Sequence, residues 1–274
     1  MNIDILHEQH ISAHRHRHIE RLLSRFEPIA LAQMSDVALL DRVDTKYLLP
    51  TSDLYAILTQ VQVHYRILDI NRVRLNRYHT VYFDDPAFTL YHQHHNRRAS
   101  RYKVRARQYV DSNLTFFEVK HKTNKRRTEK TRLPLHHSLT EQTAEISAFV
   151  GQHVDVGLKQ LEPKLWNDYL RVTLVGRSHP ERVTIDLDLS FGHDAACADL
   201  PGLTIAEVKQ AHFSQRSPFI QQMRQRGIRS TSFSKYCIGV CLLYDGVKIN
   251  NFKPVMHRMH QIIERGTGYH AGIR

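Results

Sequence analysis

Short segments in which polar and apolar positions alternate dominate the chain. Every second residue of RYKVRARQYV (101–110) is a cation, from Arg101 to Arg107. A period of two is typical of a β-strand, so these cations share one face and the apolar residues the other. The same reasoning predicts strands over residues 77–84, 101–110, 114–122, 127–135, 169–176, 182–191, 204–209 and 235–243.

Three segments instead show the spacing and capping signals of amphipathic helices. The first begins with Ser52 as its N-cap, and the second spans residues 138–151 with a capping box at its start. The third runs from Pro218, at the first helical position, to just before Gly227. Many strands with a few short peripheral helices predict an α+β protein built around a large antiparallel sheet or β-barrel.

The cationic strand and the next strand, LTFFEVKHKT (114–123), are expected to form a hairpin. A two-residue loop, Ser112-Asn113, keeps the charged faces of both strands in phase. Directly opposed like charges destabilise a sheet, so two facing rows of cations indicate a site that binds an anion. The predicted partners are Arg107 with Glu118, Arg105 with Lys120 and Lys103 with Lys122.

Later strands bring further charged residues next to apolar ones. A closed barrel with a charged, water-filled lumen accounts for this pattern. Carboxylates among the cations would repel an anion, but a divalent metal that bridges phosphates requires them. Salt bridges within the lumen are the alternative explanation. We expect Arg105, Lys120, Lys130 and Arg171 together in the lumen, with Glu207, Asp186 and Asp188 as candidate metal ligands.

Composition narrows the class of partner. The 274 residues include 39 Lys and Arg against 27 Asp and Glu, a formal net charge of +12. Such a balance points to a polyanion, whether nucleic acid, acidic lipid or a phosphate compound. The three cysteines are typical of a reducing compartment. No signal peptide or apolar run of about 20 residues is visible, which predicts a cytoplasmic protein.

Eight ordered blocks resemble a known family. The chain is similar to the VTC domain, the polyphosphate polymerase domain of the vacuolar transporter chaperone complex, within the triphosphate tunnel metalloenzymes. The resemblance is closest to bacterial stand-alone members. The blocks are RVDTKYLL (42–49), TVYFDD (80–85), YKVRARQY (102–109), FFEVKHKTNKRRTEKTRL (116–133), YLRVTL (169–174), ERVTIDLDL (181–189), IAEVKQ (205–210) and SFSKYCIG (232–239).

The resemblance implies a tunnel of antiparallel strands that transfers the γ-phosphate of ATP to a growing polyphosphate chain, with Mn²⁺ or Mg²⁺ as cofactor. It implies a tunnel domain over residues 39–250, between an N-terminal helical segment (1–38) and a C-terminal helical tail (251–274). By motif position it assigns phosphate contacts to Lys46, Arg105, Arg107, Lys120, Lys130, Arg171, Arg182 and Lys235, and a metal ligand to Glu207. The strand pattern adds Lys103, Lys122, Arg132 and Lys209 as substrate-binding candidates.

Three other functions stay open at this point. A metal-dependent triphosphatase on the same tunnel would use water as the phosphate acceptor. A polyphosphate-binding module would bind its ligand without catalysing a reaction. A nucleic-acid binder is disfavoured, because the tyrosines near the cations alternate with them and point toward the core. The expected partners are ATP or another triphosphate, inorganic polyphosphate and a membrane protein for export. No Walker A loop occurs, so side chains must hold the triphosphate.

Overall fold

The computed structural model describes residues 17–37, 42–125, 127–154, 160–194 and 196–267. Eleven strands form one large, mostly antiparallel sheet. The strands are β1 (Glu27–Ala30), β2 (Val43–Pro50), β3 (Tyr65–Asp69), β4 (Asn76–Asp84), β5 (Arg101–Tyr109), β6 (Leu114–Lys122), β7 (Thr128–Pro134), β8 (Glu162–Gly176), β9 (Glu181–His193), β10 (Ala196–Leu200) and β11 (Leu203–Gln210).

The helices are short and are interspersed with the strands along the chain. They are α1 (residues 17–23), α2 (Thr51–Val61), α3 (Thr89–His95), α4 (Ala144–His153), α5 (Pro218–Gln225), α6 (Lys235–Leu243) and α7 (Lys253–Thr267). Short 3-10 helices occupy Leu31–Val37, Gln62–His64, Val110–Ser112 and Asn250–Phe252. The α+β class and the large antiparallel sheet are therefore confirmed. Among the described residues the sheet is not closed into a barrel by strand pairing, because β2 and β7, at the two ends of its path, do not pair.

The chain divides into two compact units, and the long strands β8 and β9 contribute to both. Unit 1 holds Met1–Asn76, Arg171–Asp186 and Thr204–Ser230, and unit 2 holds Arg77–Leu170, Leu187–Leu203 and Thr231–Arg274. In unit 1, β1 pairs in parallel with β3, β3 pairs with the end of β8, and β11 pairs with β2 and with the start of β9.

Unit 2 is a meander in which β4, β5, β6 and β7 pair in chain order, and β10 pairs with the end of β9. One face of β5 buries Tyr102, Val104 and Ala106 in an apolar core that also contains Phe117 and Val119 of β6. The helices α3 and α4 contribute Leu90 and Ile146 to this core. Because strand side chains alternate, burial of these residues commits the charged residues of β5 to the other face.

Seven of the eight predicted strands are confirmed, and the eighth is wrong. Residues Lys235–Leu243 form helix α6, whose N-cap Ser234 accepts a hydrogen bond from the backbone N–H of Cys237. The helix is buried on most sides, so its residues are apolar without a helical period. A continuous apolar run fits a buried strand and a buried helix equally well, which explains the error.

Two of the three predicted helix starts also need correction. Helix α2 begins at Thr51 after an extended Pro50 and has no side-chain cap, so Ser52 is not its N-cap. Helix α4 begins after Thr143, whose hydroxyl accepts the N–H of Ile146 at 3.2 Å. This cap is closer to the apolar residues of the helix than the predicted capping box at 138–141, and α4 continues through Gly151 to His153. The prediction for α5 is confirmed, with Pro218 at its first turn.

Candidate functional site

The hairpin of β5 and β6 has a different register from the predicted one. The loop covers residues 110–113, where Val110–Ser112 forms a 3-10 turn and Asn113 adopts a left-handed φ of 51°. This loop is two residues longer than expected, so the faces stay in phase while every cross-strand pair shifts by two. The observed partners are Arg105 with Glu118, Lys103 with Lys120, Arg101 with Lys122 and Arg107 with Phe116.

A row of lysines crosses three neighbouring strands as a result. Lys103 of β5 is the direct partner of Lys120 on β6, and Lys120 is the direct partner of Lys130 on β7. Lys103 and Lys120 are half-buried, and Lys130 is 40% exposed. Like charges in this arrangement repel one another, and a neighbouring anion reduces that repulsion. We call Lys103, Lys120 and Lys130 the lysine row.

Next to the lysine row lies a buried carboxylate. Glu118 is 1% exposed and accepts a hydrogen bond from Nε of Arg105 at 2.7 Å, while Lys130 contacts its other oxygen. Burial alone would raise the pKa of Glu118, but the positive charges of Arg105, Arg107 and Lys130 hold it well below its usual range. The carboxylate is therefore ionised and fixes the positions of Arg105 and Lys130. We call the lysine row with Arg105 and Glu118 the hairpin cluster.

Aromatic rings hold two further predicted cations in unit 2. Arg107 is buried, donates to the hydroxyl of Thr80 at 3.1 Å and lies 5.6 Å from the ring centre of Tyr78. Tyr78 stacks on Tyr169 with ring centres 5.1 Å apart, and Nζ of Lys235 lies 4.5 Å from the Tyr169 ring centre. Cation–π contacts of this kind position a cation without neutralising it. Lys235 therefore reaches Tyr169 from the first residue of a helix, not from a strand.

Unit 1 carries a second charged group around Glu207 of β11. One oxygen of Glu207 contacts Lys46 of β2, and the other accepts a hydrogen bond from Lys209 at 2.7 Å. Lys209 also donates to the hydroxyl of Thr184 on β9 at 2.8 Å. Burial would raise the pKa of Glu207, yet Lys209 and Lys46 lower it well below the usual value. Burial lowers the pKa of Lys209 to about 8 against the attraction of Glu207, and the charge of Arg171 contributes in the same direction as burial.

Neighbouring strands of unit 1 extend this charged surface. Arg171 of β8 binds Asp186 through two hydrogen bonds of 2.6 and 2.8 Å. Lys209 pairs directly with Arg182, Glu207 with Thr184, and Ile205 with Asp186, so their side chains leave the same face. Burial and repulsion from Arg42 and Arg171 lower the pKa of Arg182. We call Lys46, Arg171, Arg182, Asp186, Glu207 and Lys209 the Glu207 cluster.

Asp188 is placed differently from the other predicted metal ligand on β9. It has a left-handed φ of 49° and is exposed, whereas Asp186 is 3% exposed. The left-handed conformation at Asp188 interrupts the two-residue alternation of β9 at this point. The last two predicted substrate-binding residues lie at the rim of the hairpin. Lys122 is the direct partner of Arg101, and Arg132, the partner of Glu118, is exposed and covers the Phe116 ring at 4.6 Å.

The carboxylates of the Glu207 cluster are engaged by cations of the protein. Among the described residues, no group of three His, Cys, Asp or Glu side chains is arranged to hold a metal ion. The oxygens of Glu207 are engaged by lysines, and those of Asp186 by Arg171. The described residues therefore form no metal cage of protein ligands alone, and an ion here would also need the phosphates of a substrate, as Mg²⁺ often does.

The aromatic and hydroxyl partners of the cations were not predicted from the sequence. Tyr78 was expected to point toward the core, and Tyr169, Thr80 and Thr184 were not singled out. Their positions in phase with the cations are a signal that could have found them. Thr80 is the direct partner of Arg107, and Thr184 is two residues from Arg182.

Most of these strands lie in a segment that matches a known protein family. The VTC domain family model matches residues 41–244. The chain belongs to the VTC domain family. No curated protein sequence matches it. No helix of the described residues is long and apolar enough to cross a membrane.

Solved structures with a similar course of the chain are distant in sequence. A Bacillus halodurans protein named as an adenylate cyclase has 12% identity and a TM-score of 0.48. The match covers 71% of this chain and 94% of the Bacillus halodurans chain. HpAC1 from Hippeastrum, named as an adenylyl cyclase with a dominant triphosphatase activity, has 11% identity and a TM-score of 0.46, with coverages of 75% and 98%. PH1819 from Pyrococcus horikoshii has 9% identity and a TM-score of 0.41, with coverages of 72% and 95%.

Proposed function

We propose that this VTC domain binds the triphosphate of ATP and, with a divalent metal, transfers its γ-phosphate to a growing polyphosphate chain. The observation that carries the proposal is the lysine row. Lys103, Lys120 and Lys130 are direct partners on adjacent strands, an arrangement that concentrates positive charge on one face of the sheet. A protein that only needed a solvated face would place opposite charges at these positions.

The surroundings of the row suit a phosphate chain better than a single small anion. Arg105 is held by Glu118 with further guanidinium N–H groups available for phosphate oxygens, because guanidinium carries five donors. Lysines supply point charges that tolerate several positions of a phosphate along the row. The half-burial of Lys103, Arg105 and Lys120 reduces screening by solvent, which strengthens their attraction for charged oxygens.

Phosphoryl transfer asks little covalent chemistry of a protein. Positioning of the donor and acceptor and neutralisation of the equatorial oxygens account for most of the rate enhancement. We assign Arg105, Arg107, Lys120, Lys130 and Lys235 in unit 2 and Lys46, Arg171 and Arg182 in unit 1 to charge neutralisation. Lys103, Lys122, Arg132 and Lys209 are assigned to substrate binding.

Glu207 is the proposed metal ligand, with Asp186 or Asp188 as a further candidate. Mg²⁺ or Mn²⁺ would supply a positive charge that bridges neighbouring phosphates. Phosphate oxygens are suitable new partners for the ammonium groups of Lys46 and Lys209 that now hold Glu207. The strongly lowered pKa of Glu207 keeps it ionised, as a metal ligand has to be.

The test is incubation of the full chain with ATP and Mg²⁺ or Mn²⁺, followed by gel analysis of phosphate chain length and an assay of free phosphate. Long polyphosphate supports the proposal, free phosphate alone supports a triphosphatase, and binding without turnover supports a polyphosphate-binding module. Arg105→Ala should abolish turnover, while Lys125→Ala, an exposed lysine in the turn between β6 and β7, should not change it. Equal activity of both variants would contradict the assignment of the hairpin cluster.

A further inference from the structure

A cavity of about 260 Å³ lies in unit 1, away from the charged groups described above. Its lining includes the exposed residues His64, Ser178, His179, Arg216 and Gln221, so it is an open depression, with the buried Glu181 in its wall. Glu181 precedes Arg182 on β9, and successive side chains of a strand leave opposite faces. The cavity therefore lies on the other face of the sheet from Arg182 of the Glu207 cluster.

A glycine allows the turn that forms part of this cavity. A Cβ atom on Gly176 would lie 2.3 Å from the backbone oxygen of His179, a distance that no side chain could occupy. The turn between β8 and β9 can fold back only because this atom is missing. The N–H of Arg177 donates to the backbone oxygen of His64 at 2.9 Å and ties the turn to the 3-10 helix Gln62–His64. Ser178 and His179 are thereby held beside His64.

The carboxylate in the cavity wall is already fully engaged by the protein. Glu181 is 1% exposed and accepts hydrogen bonds from Tyr65, from Ser217 at 3.0 Å and from Gln210 at 2.8 Å. All three donors are neutral, and Ser217 is also the N-cap of α5. These contacts direct the oxygens of Glu181 into the wall and make the carboxylate a poor partner for a bound cation.

The groups that remain for a ligand are hydrogen-bond donors and cations. Among the residues that the structure describes, none forms an ion pair or hydrogen bond with the side chain of Arg216, His64 or His179. Arg216 can hold two oxygens of an oxyanion at once, and the hydroxyl of Ser178 is a further donor. The volume is below the roughly 300–1,000 Å³ of pockets for drug-sized ligands, which limits the ligand to a small one.

We infer that this cavity is a second anion site, which takes inorganic phosphate or a phosphate monoester of similar size. The inference does not depend on the proposed function, because it rests on residues of the opposite face of the sheet. Arg216 is the main anchor, and His64 and His179, which line the same cavity, are further donors to the oxyanion.

Equilibrium dialysis of the full chain with radiolabelled inorganic phosphate tests the inference. Arg216→Gln should weaken one class of phosphate sites roughly tenfold or more, the loss expected for one charge-assisted hydrogen bond. Arg229→Gln, which removes the same charge from an exposed position of unit 1, is the matched control. If Arg216→Gln and Arg229→Gln bind phosphate like the wild type, the inference is wrong.

A second variant separates this site from the proposed active site. Arg105→Gln should remove phosphate binding at the hairpin cluster and leave the Arg216-dependent class intact. Loss of that class in Arg105→Gln would overturn the inference without affecting the proposed function. Retention of turnover by Arg105→Gln, together with loss of one class in Arg216→Gln, would overturn the proposed function alone. His179→Gln, which keeps the turn, should reproduce the direction of the Arg216→Gln effect.

Discussion

Glu118 and Glu207 each hold two cations that would otherwise repel one another. Glu118 lies between Arg105 and Lys130, and Glu207 lies between Lys46 and Lys209. Both carboxylates have a pKa lowered by these neighbours against the effect of burial. Each carboxylate thus lets the fold keep several cations close together before any phosphate arrives.

Replacement of Glu118 by Gln should lower the free energy of unfolding at neutral pH. It should also make the free energy of unfolding less dependent on pH in the acidic range. The folded-state pKa lies below the unfolded value, so the stabilisation is present above about 4.5 and is lost as the pH falls toward the folded value. Breaking such a pair costs roughly 3–5 kcal/mol, and the lower end is expected because Lys130 is 40% exposed. Chemical denaturation between pH 2 and 7 measures both effects.

Glu129→Gln is the control for this change, since Glu129 is an exposed glutamate of the adjacent strand β7. Its unfolding curve should follow the wild type within about 0.5 kcal/mol. A loss of stability equal to that of Glu118→Gln would show that the Glu118 ion pairs are not responsible.

The pKa of Lys209, about 8, predicts an alkaline limit for triphosphate binding. Above that pH the ammonium loses its proton, and its attraction for phosphate is lost. The Lys209→Arg variant should bind triphosphate to higher pH, because a guanidinium stays charged. Titration of tripolyphosphate binding between pH 6.5 and 9.5 by calorimetry measures the limit in both proteins.

Deprotonation of Lys209 does not reduce triphosphate binding at alkaline pH by unfolding the protein. The folded-state pKa of Lys209 is below the unfolded value of about 10.4, so between these values the unfolded chain binds more protons. The contribution of Lys209 to stability therefore increases with pH in this window. An alkaline limit that is unchanged in Lys209→Arg would assign it to another group.

At the scale of elements, the β5–β6 hairpin concentrates positive charge, and the repulsion lowers its stability. Lys120→Ala removes the central member of the lysine row, which relieves repulsion from both direct partners. Turnover should fall on the order of 10²–10³-fold, as when one well-placed donor is lost from a charge-stabilised reaction. The melting temperature should stay the same or increase. Steady-state kinetics and thermal melts of Lys120→Ala and Lys125→Ala distinguish the two effects, and a fall in stability with full activity would refute this role.

A side-chain cap stabilises the first turn of helix α6. Ser234→Ala removes the acceptor for the N–H of Cys237 and should cost about 1 kcal/mol. Ser234→Asp should retain most of the stability, because Asp is an equally good N-cap. Urea denaturation of the two variants makes the comparison, and identical curves would show that the cap contributes nothing. Since Lys235 is the next residue, a frayed α6 should also lower turnover.

For the whole molecule, a ligand that binds only the folded chain raises its melting temperature by mass action. Tripolyphosphate with Mg²⁺ or Mn²⁺, at about 100 times its dissociation constant, should add about 2.7 kcal/mol to the free energy of unfolding. Sodium sulfate at the same ionic strength is the control for screening. Glu207→Gln should lose the part of the shift that depends on the metal. The absence of any shift with tripolyphosphate would refute a triphosphate-binding function.

The sequence by itself determined the class of fold and the cationic face. Alternation in β5 and β6 was enough to separate the core residues Tyr102, Val104 and Phe117 from the charged residues, because each strand buries only one face. Residue order in eight blocks was enough to indicate the VTC domain family, which the family match confirms. Both properties are local, and a local pattern is visible without coordinates.

Only the tertiary structure decided the register, the nature of α6 and the partners of each charge. A four-residue loop and a two-residue loop keep the same alternation, so the pattern could not reveal that Glu118 faces Arg105 and not Arg107. The apolar run of α6 had no period that favours a strand or a helix. The contacts of Glu207 with Lys46 join residues 161 positions apart, and no local pattern reports such a separation. These features depend on how segments that are distant in the sequence pack against one another. No local pattern in a single sequence reports that packing.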